Sequence, residues 1–100
     1  MRRFSSIART MSQQRISFKV EGEVQGVNFR SFTVKQAKSL GITGHVQNAS
    51  DGSVTGEAQG DSGSLKEFQQ HLNKGPSAAN VTKLDVNDIK TKEGESDFTQ

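Results

Sequence analysis

Residues 15–30 read RISFKVEGEVQGVNFR, and they set the start of the fold. Apolar and polar side chains alternate over the first six residues, and this period of two predicts a half-buried strand. Ile16, Phe18 and Val20 form its apolar face, and Arg15 begins its polar face. Two glycines then punctuate the chain and indicate a loop. The stretch therefore predicts a strand, a short glycine-rich loop and the start of a helix, in that order.

The first helix is predicted from about Arg30 to Leu40. Thr33, Ala37 and Leu40 recur at helical spacing along this segment. Gly41 follows directly, at the position where a residue in the left-handed conformation commonly ends a helix.

A β-hairpin is predicted next. Residues 45–48 lead into Ala49-Ser50-Asp51-Gly52, a turn sequence with Asp-Gly at its tip. Alternation resumes at Val54 on the return strand. The small residues from Gly56 to Gly60 predict a helix packed closely against that face.

The second half of the chain predicts another helix and a last, less regular strand. Ser64 and Glu67 have the spacing of a capping box, and Gly75-Pro76 stops the helix. An apolar stripe lies between these ends, formed by Leu65, Phe68 and Leu72. The segment 80–92 lacks one clean period and is predicted as a strand with a bulge. Only a short final strand can follow, because the sequence stops soon after Phe98.

The order strand, helix, strand, strand, helix, strand defines an α+β fold class. It fits the ferredoxin-like βαββαβ sandwich, an antiparallel sheet with two helices on one face. This fold hosts many functions, so topology alone does not assign one.

Composition excludes several classes of function. The chain has 100 residues, enough for one domain, and no cysteine, which excludes disulfides, thiol nucleophiles and cysteine-ligated zinc. Its net charge of +2 comes from residues 1–14, which hold three arginines and no acidic residue. The remainder carries ten basic and eleven acidic residues, so a phosphate-backbone binder is disfavoured and no nucleic-acid partner is expected. No apolar run is long enough to span a bilayer, so no membrane partner is expected.

Residues 1–14 are predicted to lie outside the folded domain, which covers residues 15–100. This Arg-rich and Ser-rich segment is either a disordered tail or a mitochondrial presequence. A cytoplasmic location is expected for the protein, with a mitochondrial form arising through residues 1–14, and a reporter fused to this segment would distinguish the two. The near-neutral domain shows no sign of an oligomer, so a monomer is expected.

The loop between the first strand and the first helix is a candidate anion site. Gly22 and Gly26 allow the backbone to turn and approach a ligand, and several N–H groups can point inward as the helix begins. Arg30 supplies a planar fork that matches two phosphate oxygens. The pattern alone leaves two interpretations open. The segment can be a phosphate-binding loop, or the glycines can serve only the geometry of a turn while the arginine is a solvated surface residue.

Two segments resemble the signature motifs of the acylphosphatase family. The first is GEVQGVNFR, residues 22–30, and the second is LGITGHVQNASDGSVTGEAQG, residues 40–60. The resemblance extends from about Ile16 to Phe98 and is strong only between Gly22 and Gly60. It implies hydrolysis of acyl phosphates, which are carboxyl-phosphate anhydrides, to carboxylate and inorganic phosphate by in-line attack of water.

The resemblance also implies roles for individual residues. Arg30 is similar to the essential phosphate-binding arginine of the family, and Asn48 is similar to the asparagine that holds the nucleophilic water. The implied phosphate-binding loop consists of Gln25, Gly26, Val27, Asn28, Phe29 and Arg30. No metal and no cofactor are implied, because acyl phosphates are already activated by their carboxylate leaving group. The family mechanism needs no protein general base, because the substrate phosphate accepts the proton.

Asn48 has a chemical justification and a structural alternative. Its amide donates and accepts hydrogen bonds without titrating, and it shares strand parity with Val46. It could instead be a turn-forming residue before Ala49. His45 has the opposite parity and His71 adjoins the second helical stripe, so these two histidines are not expected to form a metal site.

The chain departs from the family pattern at three places. His45 stands where many members have an aromatic residue, Ala49 stands where a hydroxyl residue often follows the asparagine, and the last strand is short.

Two other functions compete with the enzyme: a non-catalytic phosphate-anion or nucleotide-binding module, and an RNA-binding sheet. The second is disfavoured, because there is no Tyr or Trp and Phe18 lies on the apolar face of its strand.

Overall fold

A computed structural model describes residues 13–100, and residues 1–12 lie outside this range. The elements are β1 Gln13–Glu23, α1 Phe29–Ser39, β2 Thr43–Asn48, β3 Val54–Asp61, α2 Ser62–Lys74, β4 Asn80–Ile89 and β5 Phe98–Thr99. Because β1 begins at Gln13, it includes two residues of the predicted 1–14 tail. The rest of that tail, and with it the predicted presequence, lies outside the described residues.

The strands form one five-stranded sheet in the order β4-β1-β3-β2-β5. The first four strands pair antiparallel, and the two-residue β5 adds a parallel pair with β2. The predicted βαββαβ order is therefore present, and β5 makes the sheet mixed. Since β1 and β2 are both antiparallel to β3, they run in the same direction and end at the same edge of the sheet. The loop after β1 and the turn after β2 consequently meet there.

The main core lies between the helices and one face of the sheet. The α2 stripe is buried as predicted, with Leu65, Phe68 and Leu72 each at most 2% exposed. The Phe68 ring meets Phe18 of β1 at 5.7 Å between centroids and Phe98 of β5 at 5.9 Å. Each such aromatic pair contributes about 0.5–1.5 kcal/mol beyond the burial of its area. One aromatic cluster thus joins α2 to both a central strand and the short last strand.

The glycines of β3 lie close to a neighbouring strand and to core side chains. A Cβ on Gly56 would lie 2.6 Å from Cζ of Phe18 and even closer to the backbone of His45. At Gly60 the nearest side-chain atom to such a Cβ would belong to Ile42, at 3.2 Å. A side chain at Gly56 would therefore first meet the Phe18 ring and the backbone of β2, and one at Gly60 would first meet Ile42.

The helix ends agree with the sequence except at the start of α2. Gly41 and Gly75 both have positive φ and follow α1 and α2 as predicted. The predicted capping box at Ser64 is wrong, because α2 already begins at Ser62 with Asp61 as its N-cap residue and no side-chain cap. The chain passes directly from β3 into α2, so the end of the strand sets the start of the helix.

The irregular segment after α2 is the predicted bulged strand. Glu21 pairs with Lys83 and Gly22 pairs with Val81, so Thr82 is the extra residue on β4.

Within residues 13–100, neither helix has the length and apolar character needed to cross a membrane.

The polar face of β1 is also covered at its first residue, Arg15, which its alternation did not predict. Arg15 is 2% exposed, and its guanidinium donates to Glu57 at 2.9 Å and to Glu95 at 2.8 Å. The segment 90–97, which connects β4 to β5, lies over this face. Gln59 fixes it by bonding the backbone N–H and C=O of Lys92 at 2.8 and 2.9 Å. Polar bonds thus hold this segment where no helix lies.

Glu95→Gln is expected to lower the free energy of unfolding at neutral pH by about 2 kcal/mol, the size of a hydrogen bond to a charged group. The hydrogen bond from Arg15 lowers the pKa of Glu95 below its ordinary value of 4.5, against the opposing effect of burial. A carboxyl with a lowered folded-state pKa stabilises the protein above its unfolded pKa, and this contribution is lost as pH falls through the folded value.

Urea unfolding of the wild type, Glu95→Gln and the neighbouring Glu93→Gln checks this expectation. The gap between wild type and Glu95→Gln should be largest at neutral pH and should close as the pH falls through the lowered pKa of Glu95, and Glu93→Gln should match the wild type throughout. An equally large difference in unfolding free energy at neutral pH and in acid would contradict a role for the Glu95 charge.

Candidate active site

The loop from Val24 to Asn28 is fixed at both ends by buried side chains. Val24 and Phe29 are each 1% exposed. Between them the backbone turns sharply, with φ of 77° at Gly26 and 65° at Asn28. Asn28 is the N-cap residue of α1 and adopts the left-handed conformation, which asparagine tolerates better than most residues. The loop therefore leads into the helix through two left-handed residues.

The start of α1 presents backbone donors to this loop. The first N–H groups of a helix have no partner within it, and the helix dipole makes this end attractive to anions. The N–H of Phe32 is already bonded to Asn28 O at 3.0 Å, which leaves the amides of Phe29, Arg30 and Ser31 available. The first turn contains no acidic residue that would compete for them.

The position of the helix start depends on close packing at Phe29. Gly75, at the end of α2, has φ of 69°, and a Cβ there would lie 2.9 Å from Cε2 of Phe29. The missing side chain therefore lets the Phe29 ring lie against the end of α2. Because Arg30 is the next residue, this packing also sets where its side chain begins.

Asn48 is the last residue of β2 and lies at the same edge of the sheet. Val54 of β3 pairs with Asn48 on one side and with Val20 of β1 on the other. Asn48 shares the parity of the buried Val46, whereas His45 lies on the opposite face of β2, as its position predicted. The exposed Asn48 side chain thus lies beside the loop that follows β1.

One cleft of about 560 Å³ joins these parts. Its walls are formed by Val24, Gly26, Val27, Asn28, Phe29, Arg30, Ser31, Asn48, Ala78 and Gln100. Six of the seven predicted site residues are therefore together, and Gln25 is the exception. Ser31 could have been inferred from its place in the first helical turn. Ala78 and Gln100 carry no motif, and only the folded chain brings them to the cleft.

The Gln25 side chain is used elsewhere. Its Nε2 donates to Ala49 O at 2.8 Å and to Ser53 O at 2.9 Å, both in the turn that follows Asn48. Its backbone still belongs to the loop. The predicted loop therefore contributes residues 26–30 to the cleft wall, and Gln25 contacts the hairpin instead.

The turn after Asn48 is held by its own hydrogen bonds. Ala49 N donates to Ser53 O at 2.8 Å, and Asp51 Oδ1 accepts from the N and Oγ of Ser53 at 3.0 and 2.6 Å. Lys19 of β1 lies 3.0 Å from the other oxygen of Asp51. The bonds from Ser53, aided by Lys19, hold the pKa of Asp51 well below its usual range.

The cleft is suited to an anion and poorly suited to a divalent cation. Within residues 13–100, Arg30 takes part in no ion pair with a carboxylate. Among the described residues that line the cleft, no side chain is a carboxylate or an imidazole. No group of three or more His, Cys, Asp or Glu side chains that could hold a metal occurs in the part of the chain that the structure describes. His71 instead lies 3.9 Å from Glu67 on α2.

The fold and the cleft together define a class: a ferredoxin-like α+β protein with a cleft at the start of its first helix that Arg30 and Asn48 help to line. The sequence model described as Acylphosphatase matches residues 16–100. An acylphosphatase of Thermotoga maritima is 50% identical over 84 residues, which cover 84% of this chain and 92% of that protein.

Solved structures lead to the same family. An acylphosphatase from Coxiella burnetii superposes with a TM-score of 0.86 at 34% identity, covering 91% of this chain and 95% of that one. The acylphosphatase from Bacillus subtilis superposes with a TM-score of 0.82 at 31% identity, covering 86% and 96%. The chain belongs to the acylphosphatase family. The predicted family, fold and activity, hydrolysis of acyl phosphates, are thereby confirmed.

Proposed function

We propose that Arg30 and the amides at the start of α1 bind the phosphoryl group of an acyl phosphate, and that Asn48 holds the attacking water. The observation that carries this assignment is that a single cleft is lined by the helix start, Arg30 and Asn48. Its volume of about 560 Å³ suits a small molecule. The water attacks phosphorus in line, the P–O bond to the acyl group breaks, and carboxylate and inorganic phosphate are released.

Arg30 acts by neutralising charge on the phosphoryl oxygens. Two unit charges about 4 Å apart attract by roughly 4 kcal/mol at an effective dielectric near 20, before desolvation is subtracted. A guanidinium fork also contacts two oxygens at once, which orients the group for attack. The helix amides add fixed partial charges that do not reorganise during the reaction.

Asn48 acts by placing the water. Its carbonyl oxygen accepts a hydrogen bond from one O–H of the water and leaves a lone pair on the water oxygen free for phosphorus, and its own N–H₂ can donate to a phosphoryl oxygen. Holding the nucleophile at a near-attack distance removes much of the entropic cost of the step. The phosphate itself accepts the proton, so the proposal needs no protein base.

We also propose that the reaction needs no metal ion. Acyl phosphates have a good leaving group, so charge neutralisation and positioning suffice. Turnover of a synthetic aryl acyl phosphate is expected to be unchanged after exhaustive treatment with a chelator. Inhibition that added Mg²⁺ reverses would contradict this, and a folded protein that binds phosphate without turnover would favour the non-catalytic binding module.

The RNA-binding alternative lacks support from the sheet. Phe18 is 3% exposed and lies in the helix-side core against Phe68. On the sheet face that no helix covers, Arg15 is bonded to Glu95.

The monomeric state, the cytoplasmic location and the mitochondrial form remain predictions from the sequence, which sedimentation and a reporter fused to residues 1–14 would test.

A further inference from the structure

The Gln25 side chain makes a two-pronged contact with the turn that follows Asn48. Both acceptors, Ala49 O at 2.8 Å and Ser53 O at 2.9 Å, receive their bond from the same nitrogen, Nε2. A primary amide nitrogen carries two hydrogens, so each can serve one carbonyl. One side chain of the phosphate loop thus bonds to both ends of the turn.

The sheet provides no direct backbone contact between these two parts of the site. β3 lies between β1 and β2, so the loop after β1 and Asn48 belong to strands separated by another strand. Two strand spacings amount to roughly 10 Å. The backbone ladders relate the two parts only through β3, whose Val54 pairs with both Val20 and Asn48. Gln25 supplies a direct connection across that gap.

The turn keeps its internal structure without Gln25. Ser53 O also accepts from Ala49 N at 2.8 Å, and Ala49 O accepts from Gly52 N at 3.2 Å. Asp51 closes the turn through its two bonds from Ser53. Loss of the Gln25 amide therefore leaves both of its acceptors, Ala49 O and Ser53 O, with another partner, and the turn stays folded. That change removes only the two hydrogen bonds that connect the loop to the turn.

We propose that Gln25 is a positioning residue that sets the distance between the bound phosphate and the water site at Asn48. The inference rests on the proposed roles of Arg30 and Asn48. Gln25 does not line the cleft itself, so its effect is transmitted through the hairpin. A displacement of about 1 Å between reacting groups can cost on the order of a hundredfold in rate. Binding of phosphate depends on Arg30 and the helix amides and is independent of this distance.

The test is Gln25→Met, which keeps the length of the side chain and removes both donors. Its kcat is expected to fall about tenfold or more, while the inhibition constant of inorganic phosphate and the urea midpoint stay at the wild-type values. Gln70→Met, the same change at an exposed position of α2, serves as the control and should leave all three unchanged. An unchanged kcat in Gln25→Met would overturn the proposal. An equal loss of phosphate affinity would also overturn it, because Gln25 would then support the loop itself.

A double variant separates this inference from the roles on which it rests. If Gln25 acts through Asn48, adding Gln25→Met to Asn48→Ala should cause no further loss of kcat, because the group being positioned is absent. Full additivity would overturn the proposal. Wild-type activity in Asn48→Ala would refute the proposed function, whereas an impaired Asn48→Ala beside a fully active Gln25→Met would refute the positioning role alone.

Discussion

Arg30→Ala is expected to lower kcat/KM by about a thousandfold or more, because an arginine that stabilises the charge of a phosphoryl-transfer transition state contributes about that much to the rate. The variant keeps the helix amides but loses the one cationic side chain that lines the cleft within residues 13–100. Inhibition by inorganic phosphate should therefore weaken together with turnover. Since Arg30 is exposed, the urea midpoint should remain that of the wild type.

Two further variants make the Arg30 result specific. Arg30→Lys retains the charge but loses the planar fork, so it should recover part of the phosphate affinity and little of the turnover. Lys35→Ala removes an exposed cation from the same helix and should have no effect. If phosphate inhibited Arg30→Ala as strongly as the wild type, Arg30 would not be the phosphate ligand.

Asn48→Ala is the second large effect, and it should appear in a different parameter. Loss of one preorganised hydrogen-bonding group typically costs about a hundredfold to a thousandfold in kcat. Because Arg30 and the helix amides remain, the inhibition constant of inorganic phosphate should be unchanged. Steady-state kinetics with phosphate as competitive inhibitor separates the two quantities.

The controls for Asn48 use its neighbour and its isostere. Gln47→Ala changes an exposed residue of the opposite parity on β2 and should leave kcat unchanged. Asn48→Asp has nearly the same shape but brings a negative charge beside the phosphate, so it should lose both turnover and phosphate affinity. An Asn48→Ala variant that stayed folded yet lost phosphate inhibition to the same degree as turnover would contradict its role as water holder.

The local elements were largely predictable because their signals are local. A period of two marked β1, the spacing of Leu65, Phe68 and Leu72 marked α2, and the positive φ of Gly41 follows from the residue type. The start of α2 was not predictable in this way. The sequence predicted a cap at Ser64, but the helix begins at Ser62, directly after the last residue of β3.

In the candidate site, too, residue types were predictable from the sequence and contacts between distant segments were not. Arg30 and Asn48 were identified from two motifs, since each motif is a short continuous segment whose residue types match the family. Gln25 belongs to the first motif, yet its contact with Ala49 depends on where the second motif comes to lie. A motif specifies which residues are present and does not specify which of them face one another.

By itself, the sequence determined the order of the elements, the family, the activity and the two residues assigned to phosphate and water. Those properties depend on residue type and on spacing within a few turns or strands. Only the tertiary structure decided that Arg15 is buried beneath Glu95, that Gly56 makes room for Phe18, and that Gln25 joins the loop to the hairpin. Each of these contacts links residues that are far apart along the chain, and their partners are selected by packing and by the order of strands in the sheet, which no local pattern encodes.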